Sequence, residues 1–290
     1  MKKYLKKSSL FALFVFIATI ILILLILNFS NNWQKISDKI SGNNLSNQTL
    51  SLDKTIIPVR LNNLGSMMLK EGVIDQEKID QLYTKSESKE GMNRLLRKSN
   101  SNVVITKDNA NYLLNFFWAL GLSNKNEILE KGPMVQNGKT ANFASTGGWT
   151  LSKGQPMDHY SKHNFIALTA IQQKMVEEIA KNIYRPCCGN PTYFPDCNHG
   201  MAMLGFLELA ASQNLDEKQI YKDALILNTF WFPNDYLTIN QYLKENNQNW
   251  AKTDPKIILG KNFSSQQGMA YIKSQVKDLP FATGGGSCGV

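Results

Sequence analysis

The chain has 290 residues, 43% of them hydrophobic, and a formal net charge of +9, which allows one domain with a real core or two small ones. Four of the positive charges are Lys2, Lys3, Lys6 and Lys7, so the remainder carries +9 − 4, or about +5. With no arginine- and lysine-rich block and no basic stripe interleaved with aromatics, nucleic acid is not an expected partner.

The lysine cluster precedes Leu10–Leu27, a run of 18 residues in which Thr19 is the only polar member. At about 1.5 Å per helical residue it nearly spans a ~30 Å hydrocarbon core. Trp33 follows, where an interfacial aromatic is favoured, and the lysines favour a cytoplasmic N-terminus. NFSNNWQK offers neither a small-x-small cleavage site nor a lipid-anchor cysteine. Residues 1–29 are therefore expected to be an uncleaved single-pass anchor in the cell membrane, with the rest extracytoplasmic.

Residues 30–55, rich in Asn and Ser, read as a polar stalk. Residues 56–280 read as a helical domain. Asp75 caps a helix running to about Tyr83, GMNRLLRKS predicts another over 91–98, and NVVIT (102–106) is the one convincing extended run. Asp108 starts the apolar helix ANYLLNFFWALGL, which Gly121 is expected to end. Residues 132–158 form a long Gly-, Asn- and Ser-rich loop.

Thr169 and Gln172 have capping-box spacing. The helix they open should carry Ile171, Met175, Ile179 and Ile183 on one stripe and stop at Pro186. Asp196 is expected to cap a helix to about Ser212, and Asp216 one that ends before Pro233. Two more fit 235–245 and 265–276. The tail, 281–290, is Gly-rich and holds Cys288. The expected fold is thus all-α, or nearly so.

Chemistry concentrates in YRPCCGNPTYFPDCNHGMAM (184–203). Cys187, Cys188, Cys197 and His199 fall within thirteen residues of a Pro/Gly-rich segment between two helices. Thiolate and imidazole donors together suit copper or zinc, and iron less well. Capped at Asp196, the helix would hold Cys197 and His199 in its first turn, where the dipole favours thiolate. His199 and Met203 would share a face. The vicinal Cys187–Cys188 pair cannot close an unstrained disulfide on itself. His159 and His163 stand four apart and, in a helical turn, would point the same way as metal ligands do, with Asp158 placed to orient one of them.

Three functions fit these residues. The leading one is extracytoplasmic metal binding, with handling of copper or a related soft metal as the expected role, through Cys187, Cys188, Cys197 and His199, with His159 and His163 as further ligands. The second is thiol–disulfide exchange through Cys197, Cys188 and Cys288. The third is a scaffold stapled by two disulfides, as an even cysteine number in an oxidising compartment first implies, that binds other envelope proteins. Cys-x-x-Cys-His, His-Glu-x-x-His, a phosphate-binding loop and Gly-x-Ser-x-Gly are absent from the sequence.

The stretch NIYRPCCGNPTYFPDCNHGMAMLGFLELAASQ, with NFASTGGWTLSKGQPMDHYSKH before it and GGGSCGV after it, resembles an uncharacterised family of membrane-anchored microbial proteins. The likeness covers most of the chain past the stalk and implies that these segments act as one unit. A looser likeness is to the thiol-reductase subunits of cytochrome c maturation, which are membrane-anchored helical modules with an Arg-Cys-x-x-Cys loop. Here the loop reads Arg185-Pro186-Cys187-Cys188, without that spacing, so their redox mechanism is not implied.

Overall fold

The protein is described by a computed structural model over residues 54–136 and 138–277. The expected anchor, nearly all of the stalk and the tail with Cys288 lie outside the described residues. None of the described helices is long and apolar enough to cross a membrane.

The described chain is mostly helical, with one two-stranded antiparallel sheet. Strand β1 (Thr55–Asn62) pairs with β2 (Ser99–Ile105), with Thr55 opposite Ile105 and Ile57 opposite Val103. Ile57, Val59 and Leu61 alternate inward, the period-2 pattern of a half-buried strand. β2 covers most of the extended run expected at 102–106, whereas β1 occupies the expected end of the stalk and start of the helical domain.

Between the strands lie α1 (Leu64–Lys70), α2 (Gln76–Leu82) and α3 (Ser86–Leu96). Asp75 caps α2 as expected, accepting from the Glu77 amide. α3 begins five residues before the expected start at 91. After β2 come α4 (Ala110–Ser123), α5 (Glu127–Lys131) and α6 (Ala170–Ala180). Thr169 and Gln172 close their capping box reciprocally. The expected apolar stripe on α6 is corrected. Val176, Ile179 and Ala180 face the core, whereas Ile171 is 83% exposed and the helix ends at Ala180, short of Ile183.

The last part is α7 (Asn198–Ser212), α8 (Glu217–Trp231), α9 (Pro233–Glu245), α10 (Pro255–Leu259), α11 (Lys261–Ser264) and α12 (Gln266–Gln275). Asp216 caps α8 by accepting from Gln219 N–H, and Ser265 caps α12.

α4 and α7 form the centre of the core. α4 is buried from Leu113 through Ser123 and α7 from Asn198 through Ala211. They run in the same direction: His199 shares a cavity wall with Ala110 and Asn111 at one end, and Glu208 bonds Asn124 and Asn126 at the other. They cross where Gly121 meets Gly205. A Cβ on Gly121 would stand 2.1 Å from the Met201 carbonyl oxygen, and one on Gly205 2.3 Å from that of Phe117. Gly121 therefore lies inside α4 and serves close approach, which corrects its expected role as terminator; the helix ends at Ser123, with Asn124 as its C-cap.

Candidate metal centre

The cysteine segment leaves α6 and returns into α7. Its backbone is held by Thr192 N–H to the Ile183 carbonyl, Tyr193 N–H to Ala180, Tyr184 N–H to Leu259 and Gln266 N–H to the Cys188 carbonyl. α6, the α10 end and the start of α12 thus fix the loop from three sides. The long 132–158 segment also reaches it. Ser145 N–H donates to the Asp196 carbonyl at 3.2 Å, and the Phe143 and Phe194 rings meet edge to face at 5.5 Å.

Cys197, rather than Asp196, is the N-cap of α7. Its backbone is extended, and its sulfur accepts from Gly200 N–H at 3.4 Å. The helix dipole expected to favour thiolate at Cys197 is therefore joined by a direct amide contact. Asp196, freed from capping, pairs with Arg185.

The three sulfurs converge. Cys187 Sγ lies 3.7 Å from Cys188 Sγ and 3.6 Å from Cys197 Sγ, and Cys188 Sγ lies 3.4 Å from Cys197 Sγ. These spacings exceed the ~2.0 Å of a disulfide bond, and all three cysteines are free thiols. Among the described residues they form the one group of three or more Cys, His, Asp or Glu donors close enough to share an ion. Tetrahedral zinc with ~2.3 Å bonds has sulfur–sulfur edges of about 3.8 Å. The triangle's centre is about 2.1 Å from each sulfur, so the three sulfurs could serve together as ligands to one ion of that bond length.

His199 Nδ1 stands 4.0 Å from Cys187 Sγ. That is beyond the ~3.6 Å sulfur–nitrogen edge of such a shell, and His199 falls outside the set of donors that lie within 4.8 Å of one another, so its ring would have to shift to complete the site. Its ring is held by Phe232, with centroids 4.3 Å apart, and by Trp231 at 6.0 Å. Met201 and Met203 are buried core residues with 0% and 1% exposure.

Arg185 is the residue that the sequence reading missed as part of the site. Its side chain is 1% exposed. Nε lies 3.0 Å from Cys197 Sγ, one Nη donates to the Asn190 carbonyl at 2.8 Å, and the other donates to Asp196 Oδ1 at 2.5 Å and to the Phe194 carbonyl. Asn190 Nδ2 braces the second Asp196 oxygen at 2.7 Å. A guanidinium stacked beside the start of α7 needs Gly200, whose Cβ would fall 2.5 Å from its central carbon. Hydrogen bonds from Cys187 and Cys188, with the Arg185 charge, hold the Cys197 thiol well below the usual cysteine range against the effect of burial. Cys187 moves upward through its bonds to Cys188 and Cys197 and through burial. For Cys188 the bond from Cys187 lowers the value, but the bond to Cys197 and burial outweigh it and push the thiol up to about 12.

The second expected pair sits elsewhere. His159 Nδ1 and His163 Nε2 are 3.1 Å apart, so these rings do meet. They do so in a turn, not in the expected helix: a 3-10 turn covers Pro156–Asp158, and Ser161 adopts a positive φ of 48°. Asp158 is not their orienter, since its carboxylate accepts from Gln155 N–H. His159 Nε2 faces the Lys153 carbonyl at 2.9 Å, and His163 Nδ1 faces Glu71 at 4.0 Å. His163 is tied to Ser123 and Lys125, at the C-terminal end of α4, whereas His199 lies by the N-terminal end. α4 is about 20 Å long, so the pair does not join the cysteine centre.

No protein-family model, curated protein or solved structure matches this chain.

Proposed function

We propose that this protein is a membrane-anchored, extracytoplasmic metal-binding protein whose centre is Cys187, Cys188 and Cys197 with His199 as fourth donor. The observation that carries the reading is the mutual approach of three unbridged sulfurs to 3.4–3.7 Å. Three thiolates and one imidazole on a divalent ion leave one negative charge, which the Arg185 guanidinium faces. N–H donors to a ligating sulfur, here from Arg185 and Gly200, are the outer-shell support that such centres use. Three thiolates with an imidazole nearby would suit zinc, with Cu(I) on the thiolates alone as the alternative occupant. The anchor reading rests on the Leu10–Leu27 run and its flanking lysines.

The test uses the full chain purified in detergent, with elemental analysis and Co(II) substitution. One ion per chain is expected, with the intense visible bands of tetrahedral thiolate cobalt. Cys187→Ser and Cys188→Ser each lose the ion, and His199→Ala weakens its binding and shifts the cobalt bands. Failure to take up zinc, cobalt or Cu(I), or isolation of these cysteines as disulfides from non-reducing preparations, ends the proposal.

Arg185 beside Cys197 also favours a second reading, thiol–disulfide exchange. The Cys197 thiolate would attack a substrate disulfide and release one substrate thiolate. Cys188, 3.4 Å away, would then displace the second and leave a Cys188–Cys197 disulfide. This reading predicts that Cys188→Ser traps a mixed disulfide at Cys197, whereas the metal reading predicts none.

A further inference from the structure

A cavity of about 460 Å³ has His199 in its wall, in the size range of small-molecule sites. It opens between the end of α2, α3, the start of α4 and the end of α8. Its walls combine rings with polar groups that the protein itself leaves unsaturated. Tyr83, Tyr112 and Trp231 supply flat aromatic surface. Asn115, 4% exposed, donates through Nδ2 to Tyr83 Oη at 2.7 Å, and nothing among the described residues donates to Asn115 Oδ1. Tyr83, 8% exposed, accepts that bond and donates its own proton to no described residue. An acceptor and a donor with unused capacity therefore stand side by side where the cavity reaches them, open to a ligand in place of water.

We infer that this cavity binds a small planar organic molecule bearing a carboxamide or lactam edge. The N–H of that edge donates to Asn115 Oδ1, its carbonyl accepts from Tyr83 Oη–H, and its ring lies among Tyr112 and Trp231. Bound there, the molecule lies beside the His199 ring and so beside the cysteine centre. The pairing chemistry is independent of whether the cysteines hold a metal.

Benzamide is the probe, followed by saturation-transfer NMR on the full chain in detergent after chelator treatment. Saturable binding in the millimolar range is expected. N,N-dimethylbenzamide, which lacks the N–H, should bind about tenfold more weakly, and Asn115→Leu should cost benzamide about the same factor. Asn115→Leu disturbs the core, so Ser88→Trp serves as the second variant: it fills the mouth from α3 without touching the buried pair and should abolish binding with the thermal midpoint unchanged. No benzamide binding, equal binding of the dimethyl compound, or undiminished binding to Ser88→Trp overturns the proposal.

Discussion

At the scale of single residues, the chemistry turns on Arg185. A guanidinium buried to 1% exposure is tolerated only because its donors meet two carbonyls, a carboxylate and a sulfur. Replacing it with Met strands Asp196 and both carbonyls, and should cost about 3–5 kcal/mol of folding stability. It should also release the Cys197 thiol upward towards its ordinary value of about 8.5. Arg185→Lys keeps a charge but loses the fork and should fall between. The measurement is the pH midpoint of Cys197 alkylation in metal-free protein, with the other two cysteines changed to Ser in wild-type and variant alike. An unchanged midpoint in Arg185→Met shows that the charge does not act on that sulfur. Gly200→Ala should move the midpoint the same way, because its Cβ displaces the guanidinium from beside the sulfur.

At the scale of elements, what the sequence discloses depends on how local the signal is. Asp75, Thr169 and Asp216 cap the helices they were expected to cap, because a cap is a contact between residues two or three apart. The three cysteines could be grouped from spacing alone, because one loop between two helices carries them all. Gly121 was misread because a glycine that ends a helix and one that lets two helices touch look alike in sequence. Only the partner, Gly205, distinguishes them, and it lies 84 residues away in the chain. β1 was missed because Pro58 interrupts a short run at the edge of a polar segment, and its partner strand comes only after three helices. The contact glycines give a direct test. Gly205→Ala improves helix propensity by about 1 kcal/mol, yet its methyl would meet the Phe117 carbonyl oxygen at 2.3 Å, and that backbone has nowhere to move. Overpacking of about 1–3 kcal/mol or more should win, lowering the urea midpoint without changing its slope. A variant as stable as the parent means that the α4–α7 crossing is looser than described.

At the scale of the whole molecule, the core carries carboxyl groups that it does not neutralise. Glu208 is fully buried in α7 and meets only the Asn124 and Asn126 amides, at 2.9 and 2.6 Å; burial raises it well above the usual carboxylate range. Asp223, 1% exposed in α8, has Gln219 Nε2 2.9 Å from both oxygens, and burial raises it to about 6. Each binds its proton more tightly folded than unfolded, where a carboxyl titrates near 4. Their stabilising contribution is thus complete below about pH 4 and, for Asp223, is lost as the pH rises through about 6. His163 works in the opposite sense. Burial, with His159 next to it, lowers its value, so its contribution is present above about pH 6.5 and is lost as the pH falls. The net profile mixes these terms, and one substitution separates them. Asp223→Asn keeps the shape and cannot titrate, so the stability of the parent relative to this variant should be largest at about pH 4 and below, decline towards about pH 6 and level off above it. Urea unfolding of both proteins across that range measures the difference directly. A difference that stays flat, or grows with pH, means that Asp223 enters the fold as an ordinary carboxylate and that the packing of α8 against the core is more hydrated than its burial indicates.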